Sequence, residues 1–167
     1  MNALAVKRVH EYAPAELEAF FARFGLRVQW VEQGQIIPGS YWGDDEAGLI
    51  ADSLYLRPDT PVHSALHEAC HWIVMDPEKR EHLHTDASDS IVEENACCYL
   101  QILLADQLVG FGQERAWADM DAWGYSFRLG SARRWFEHDA ADAIEFLLRH
   151  GLIDEAREPR LLIRTTR

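Results

Sequence analysis

Two prolines bracket the most constrained stretch of the sequence. Between Pro61 and Pro77, Leu66, Ala69, Cys70, Ile73 and Val74 recur at helical spacing. Asp59-Thr60-Pro61 reads as a helix entrance, with Thr60 as N-cap and Pro61 in the first turn. The helix is expected to run to about Met75, because Pro77 cannot continue it. A helix this apolar has to be buried, yet it carries His67-Glu68-Ala69-Cys70-His71. Two buried histidines one turn apart are costly unless something binds them.

The rest of the chain frames this helix. A helix is predicted over 14–24, from Leu17, Phe20, Phe21 and Phe24, with Gly25 as its stop. Leu26, Val28 and Trp30 then alternate with polar residues as in a strand, and Leu49-Ile50 and Leu54-Tyr55-Leu56 read as two more. The polar stretch 78–90 reads as a loop. Further helices are predicted over 91–110, 113–127 and 132–150, the last capped by Ser131 and stopped by Gly151. One α+β domain over 1–167 is expected. A helix and small sheet occupy 14–57, metal-site helices 60–150, and a tail 155–167 whose arginines should be solvated.

Composition narrows the class. With 16 Lys and Arg against 28 Asp and Glu, the net charge is −12, which disfavours nucleic acid and anionic membranes as partners. Six Trp, seven Phe and five Tyr argue for a packed core rather than disorder. No run of 18 apolar residues could span a bilayer. Cys70, Cys97 and Cys98 form no disulfide framework, and Lys7-Arg8 precede no apolar segment, so a reduced, cytoplasmic protein is expected. Nothing in the sequence speaks to oligomeric state.

The chemistry lies in the H-E-x-x-H spacing. Residues i and i+4 share one helix face, so His67 and His71 can reach one ion, and imidazole suits Zn²⁺. Glu68 sits where its carboxylate can meet a water on that metal, whose pKa falls from about 15.7 towards about 7. It could then act as general base. A catalytic centre needs a third protein ligand. Proline at position 77 excludes a histidine there, and His82 and His84 belong to a loop. Glu93 and Glu94, on the next helix, are the better candidates.

Glu93-x-x-Ala96 resembles the downstream motif of the glutamate-ligated zincins, or gluzincins. Together with the first motif and Tyr99 at an aromatic position, residues 49–104 resemble the ImmA/IrrE type of short zinc metallopeptidase, with Cys97 where asparagine is usual. The resemblance implies a zincin-like fold, Zn²⁺ held by His67, His71 and Glu93, and a peptide or protein substrate added beside the strand Leu54 to Leu56. Glu94 is the alternative ligand. A shorter stretch, His67-Glu68-x-x-His71-Trp72 followed by Lys79 and Arg80, is similar to the elongation factor P hydroxylase family and would imply Fe²⁺ and oxygen-dependent hydroxylation. A non-catalytic zincin-like binding protein is the third reading. For oxyanion stabilisation the candidates are Tyr125, Arg128 and His138. His63, four residues before His67, is expected on the first-turn surface, and Cys70 as a buried filler.

Overall fold

Pro14 opens α1 (Pro14–Ala22), where its missing N–H costs nothing and its fixed φ suits the first turn. Three strands follow: β1 (Arg27–Trp30), β2 (Gly48–Ile50) and β3 (Ser53–Leu56). The computed structural model describes residues 5–40, 44–81 and 90–167. The sheet order is β1-β3-β2, with β1 parallel and β2 antiparallel to β3. Only glycine fits at position 48, since a Cβ there would lie 1.8 Å from the Pro38 carbonyl oxygen. The 38–40 segment therefore lies against β2. One expectation is corrected here. Leu54 to Leu56 lie in the central strand, hydrogen-bonded on both sides, so no peptide can add beside them.

The helix carrying the histidines is α2 (Val62–Val74). Pro61, not Thr60, is its N-cap, because the Thr60 hydroxyl instead accepts from the Arg57 N–H at 3.0 Å. The stretch read as a loop begins with a short helix, α3 (Pro77–Arg80), capped by the Asp76 carboxylate on the Glu78 N–H at 2.9 Å. Arg80 folds back over the Trp72 ring and donates to the carbonyls of Trp72, Ile73 and Met75 at 3.0, 3.3 and 2.9 Å. Arg164, from the tail, is only 5% exposed and donates to the Val74 carbonyl at 3.2 Å. Its backbone N–H reaches the Ile73 carbonyl at 2.9 Å. The tail is thus not simply solvated. Two guanidiniums satisfy the orphan carbonyls at the negative end of α2.

Four more helices complete the described fold. α4 (Ile91–Ala105) is capped by Ser90 Oγ, which accepts from the Glu93 N–H. It ends short of residue 110 because the Gly112 N–H closes back onto the Ala105 carbonyl. α5 (Gln113–Trp123) stops at Gly124 in the left-handed region. The helix expected over 132–150 is two, α6 (Ala132–His138) and α7 (Ala141–Arg149). Asp139 leaves helical geometry at φ −138 and ψ 18. α6 packs on α5 whereas α7 packs on α4, and one straight helix cannot follow both directions. Buried side chains from the sheet and from α1, α2, α4, α5, α6 and α7 form one hydrophobic cluster, with α2 packed directly on α4. Among the described residues no helix is long and apolar enough to cross a membrane.

Because Arg164 is buried and bonds the end of α2, Arg164→Ala should lower unfolding stability by about 2–3 kcal/mol. Urea denaturation followed by circular dichroism checks this, and an unchanged midpoint would show the cap to be dispensable.

Candidate metal centre

The seam between α2 and α4 brings the polar groups together. His67 and His71 point from one face of α2, their Nε2 atoms 3.1 Å apart. Glu94 reaches across from α4, with Oε1 2.9 Å from His67 Nε2 and Oε2 3.1 Å from His71 Nε2. Ligand atoms about 2.0–2.1 Å from a tetrahedral Zn²⁺ are about 3.3 Å from one another. The separations here are close to that, and two imidazoles with one carboxylate are the donor set such an ion takes. A divalent cation therefore fits these residues.

Glu94, and not Glu93, is the carboxylate at this seam, which corrects the ligand implied by resemblance. Successive helical residues are turned by about 100°, so only one of two adjacent glutamates can face α2. The Glu93-x-x-Ala96 frame that carried the resemblance is consequently not the one whose carboxylate arrives. Glu94, Cys98 and Gln101 occupy positions i, i+4 and i+7, a single helical stripe. That stripe was a signal present in the sequence, and Cys98 and Gln101 were missed because no motif contains them.

Both histidines are held by their second ring nitrogen. His67 Nδ1–H donates to Gln101 Oε1 at 2.6 Å, and Gln101 Nε2 donates to the His63 carbonyl at 3.2 Å. His71 Nδ1 lies 3.5 Å from Cys97 Sγ. Such contacts orient the rings and leave Nε2 of each directed at the shared point. Cys98 is also close: its Sγ, a His67 ring nitrogen and a Glu94 oxygen all lie within 4.8 Å of one another.

The electrostatics follow from this packing. Burial disfavours a charged His67, but Tyr125, Cys98 and Glu94 more than offset that, raising its pKa well above the ordinary value. Burial works against an ionised Glu94, yet hydrogen bonds from His67 and His71 hold its carboxyl well below the usual range. Burial pushes the Glu68 carboxyl up, partly countered by His71 and His67 and reinforced by Glu94 and Glu46. Burial likewise pushes the Cys70 thiol up, which suits an inert filler.

Of the three oxyanion candidates only Tyr125 is at the site. Its ring meets His67 edge-on at 5.9 Å and its hydroxyl lies 3.3 Å from His63 Nδ1. Burial raises its phenol pKa, so it remains a donor. Arg128 is exposed and paired with Asp139, and His138 is exposed beside Glu137. His63 is 1% exposed, correcting the expected surface position, and burial lowers its pKa to about 3. It packs edge-on against Trp123, whose indole N–H donates to Glu46 at 3.0 Å. Trp72 and Arg80, two residues of the hydroxylase-like stretch, are engaged at the end of α2. The Trp72 indole donates to the Phe24 carbonyl at 2.9 Å. His82 and His84 lie outside the described residues.

No protein-family model, curated protein or solved structure matches this chain. The centre is therefore read from its own geometry.

Two outcomes are expected. Glu94→Gln should abolish tight zinc binding while Glu93→Gln leaves it unchanged, as isothermal titration would register; the reverse pattern would reinstate Glu93. His63 stays neutral in the fold while the unfolded chain takes up its proton below pH 6.5, so its contribution is complete above pH 6.5 and declines as pH falls towards about 3. Between pH 6.5 and 4.5 the stability difference between the parent and His63→Phe should therefore change by up to about 1.4 kcal/mol per pH unit. Parallel stability curves would refute a neutral His63.

Proposed function

We infer that this chain is a zinc-dependent hydrolase of the metallopeptidase kind, with His67, His71 and Glu94 as ligands and Glu68 as general base. The observation that carries the reading is the Glu94 carboxylate spanning both imidazoles of the H-E-x-x-H helix. A divalent ion bound there would supply Lewis acidity and an acidified water. Glu68 lies next to His67 and is raised in pKa by its burial, which brings it closer to the working range of a general base. It would accept the water's proton and pass it to the leaving amine. Tyr125, kept protonated by burial, would donate to the charge developing on the substrate carbonyl oxygen. Gln101 and Cys97 would keep the two imidazoles in the required tautomer. Glu46, Glu68 and Glu94 make the surroundings acidic, which favours a neutral or basic peptide over an acidic one. A zincin-like arrangement of sheet and helices belongs to the same proposal.

One feature also suits a second reading. Two histidines and a carboxylate are the donor set of non-haem iron oxygenases, as the hydroxylase-like stretch would require. The raised Glu68 beside the ligands has a direct use in hydrolysis and favours the first.

With zinc loaded, Glu68→Gln should cleave a mixed peptide library roughly 10²–10⁴-fold more slowly than the parent. Its zinc content should be unchanged. Mass spectrometry of the digests and elemental analysis measure both. Equal cleavage by the two proteins would remove Glu68 from the mechanism. Iron in the purified parent, with oxygen consumed and no peptide cut, would transfer the assignment to the second reading.

A further inference from the structure

The seam contains one donor that hydrolysis at an open metal site does not call for. Cys98 stands one turn after Glu94 on the face of α4 that meets α2, and it is 6% exposed. Its sulfur shares a sphere with a His67 nitrogen and a Glu94 oxygen, all three within 4.8 Å of one another. α4 thus repeats the geometry of α2. Each helix presents two donors four residues apart, His67 and His71 from one and Glu94 and Cys98 from the other. Neither neighbouring thiol has this position. Cys97 lies against His71 Nδ1, the nitrogen turned away from the shared point, and Cys70 is on α2 itself.

We propose that Cys98 is the fourth protein ligand of this centre in its resting state, closing the site with an N₂OS donor set. The proposal rests on the metal reading of His67, His71 and Glu94 given above. Thiolate is a good zinc donor, with a Zn–S distance of about 2.3 Å, and four protein ligands complete a tetrahedral shell. On binding, the Cys98 S–H bond breaks, the proton passes to solvent, and a sulfur electron pair forms the bond to the cation. No electron is transferred. Water or substrate then gains access only when the thiolate yields its position and sulfur takes a proton back. The centre is accordingly thiolate-gated.

Cobalt(II) reports each donor separately. The full-length chain is titrated with Co²⁺ under reducing, oxygen-free conditions, beside Cys98→Ala, Cys97→Ala and Glu94→Gln, with circular dichroism confirming the helices. The parent should show visible d–d bands together with a near-ultraviolet sulfur-to-cobalt band. Cys98→Ala should keep the d–d bands and lose the near-ultraviolet one. It should also bind cobalt more weakly by no less than the roughly tenfold to hundredfold that even outer partners are worth. At saturating cobalt Cys97→Ala should retain both bands even where its affinity falls, because its sulfur lies against the outer nitrogen of His71. A parent with d–d bands and no sulfur band would overturn the proposal while leaving the three-ligand centre intact. Loss of the sulfur band in Cys97→Ala instead of Cys98→Ala would overturn it too. Absence of all cobalt bands in the parent would remove the metal reading, and this inference with it. Should Cys98→Ala not fold, Cys98→Ser takes its place, and a sulfur band unchanged in it would overturn the proposal.

Discussion

A single carboxylate sets the character of the α2–α4 seam. Glu94 lies between two imidazoles, and the three groups together occupy the place where apolar residues would otherwise meet. His67 is held from both sides, its Nδ1–H donating to Gln101 Oε1 and its Nε2 lying against Glu94. The Glu94 side chain is 40% exposed, so solvent screens the pair and its loss costs less than that of a fully buried one. A metal ion would replace a proton at the same point, so binding and protonation compete for one position.

Holding these groups within a few tenths of an ångström demands a stiff α2. Its beginning is tied to the sheet side by the Ala47 N–H, which donates to Ser64 Oγ at 2.9 Å. Its end is fixed by Arg80, from the turn just beyond the helix, and by Arg164, from the tail ninety residues past Val74. α4 adds the packed face that carries Glu94, Cys98 and Gln101. The small sheet thus supports the centre without supplying a ligand. Its central strand is paired on both sides over Ser53 to Tyr55, which leaves no free edge there for a peptide strand.

The net charge of −12 gains a location from this arrangement. Glu46, Glu68 and Glu94 lie close enough to the two histidines to act on one another, so part of the acidity is gathered at this seam. The aromatic residues near the site have a comparable double use. Tyr125 and Trp123 pack against His63, and they hold the polar wall of the site in place through Glu46 and His67.

Much of this was legible in the residue order. Helical spacing and prolines marked α1 and α2, alternation marked β1, and short apolar pieces marked β2 and β3. The i,i+4 histidines on an apolar helix already required a partner, because local geometry places both on one face regardless of what packs there. What remained open depended on rotation and direction. Whether Glu93 or Glu94 faces α2 is decided by the rotation of α4 about its axis, and that is settled by burial of Ala96, Cys97, Leu100 and Leu104. Whether the last helix stays whole depends on two packing directions, and its sequence carries no proline to announce the break at Asp139. The burial of Arg164 depends on the tail returning to the end of α2, ninety residues from Val74. The sequence by itself determined the metal-competent helix and the candidate base. Tertiary structure alone brought Glu94, Cys98 and Tyr125 to the two histidines, because those contacts join residues that no local periodicity relates.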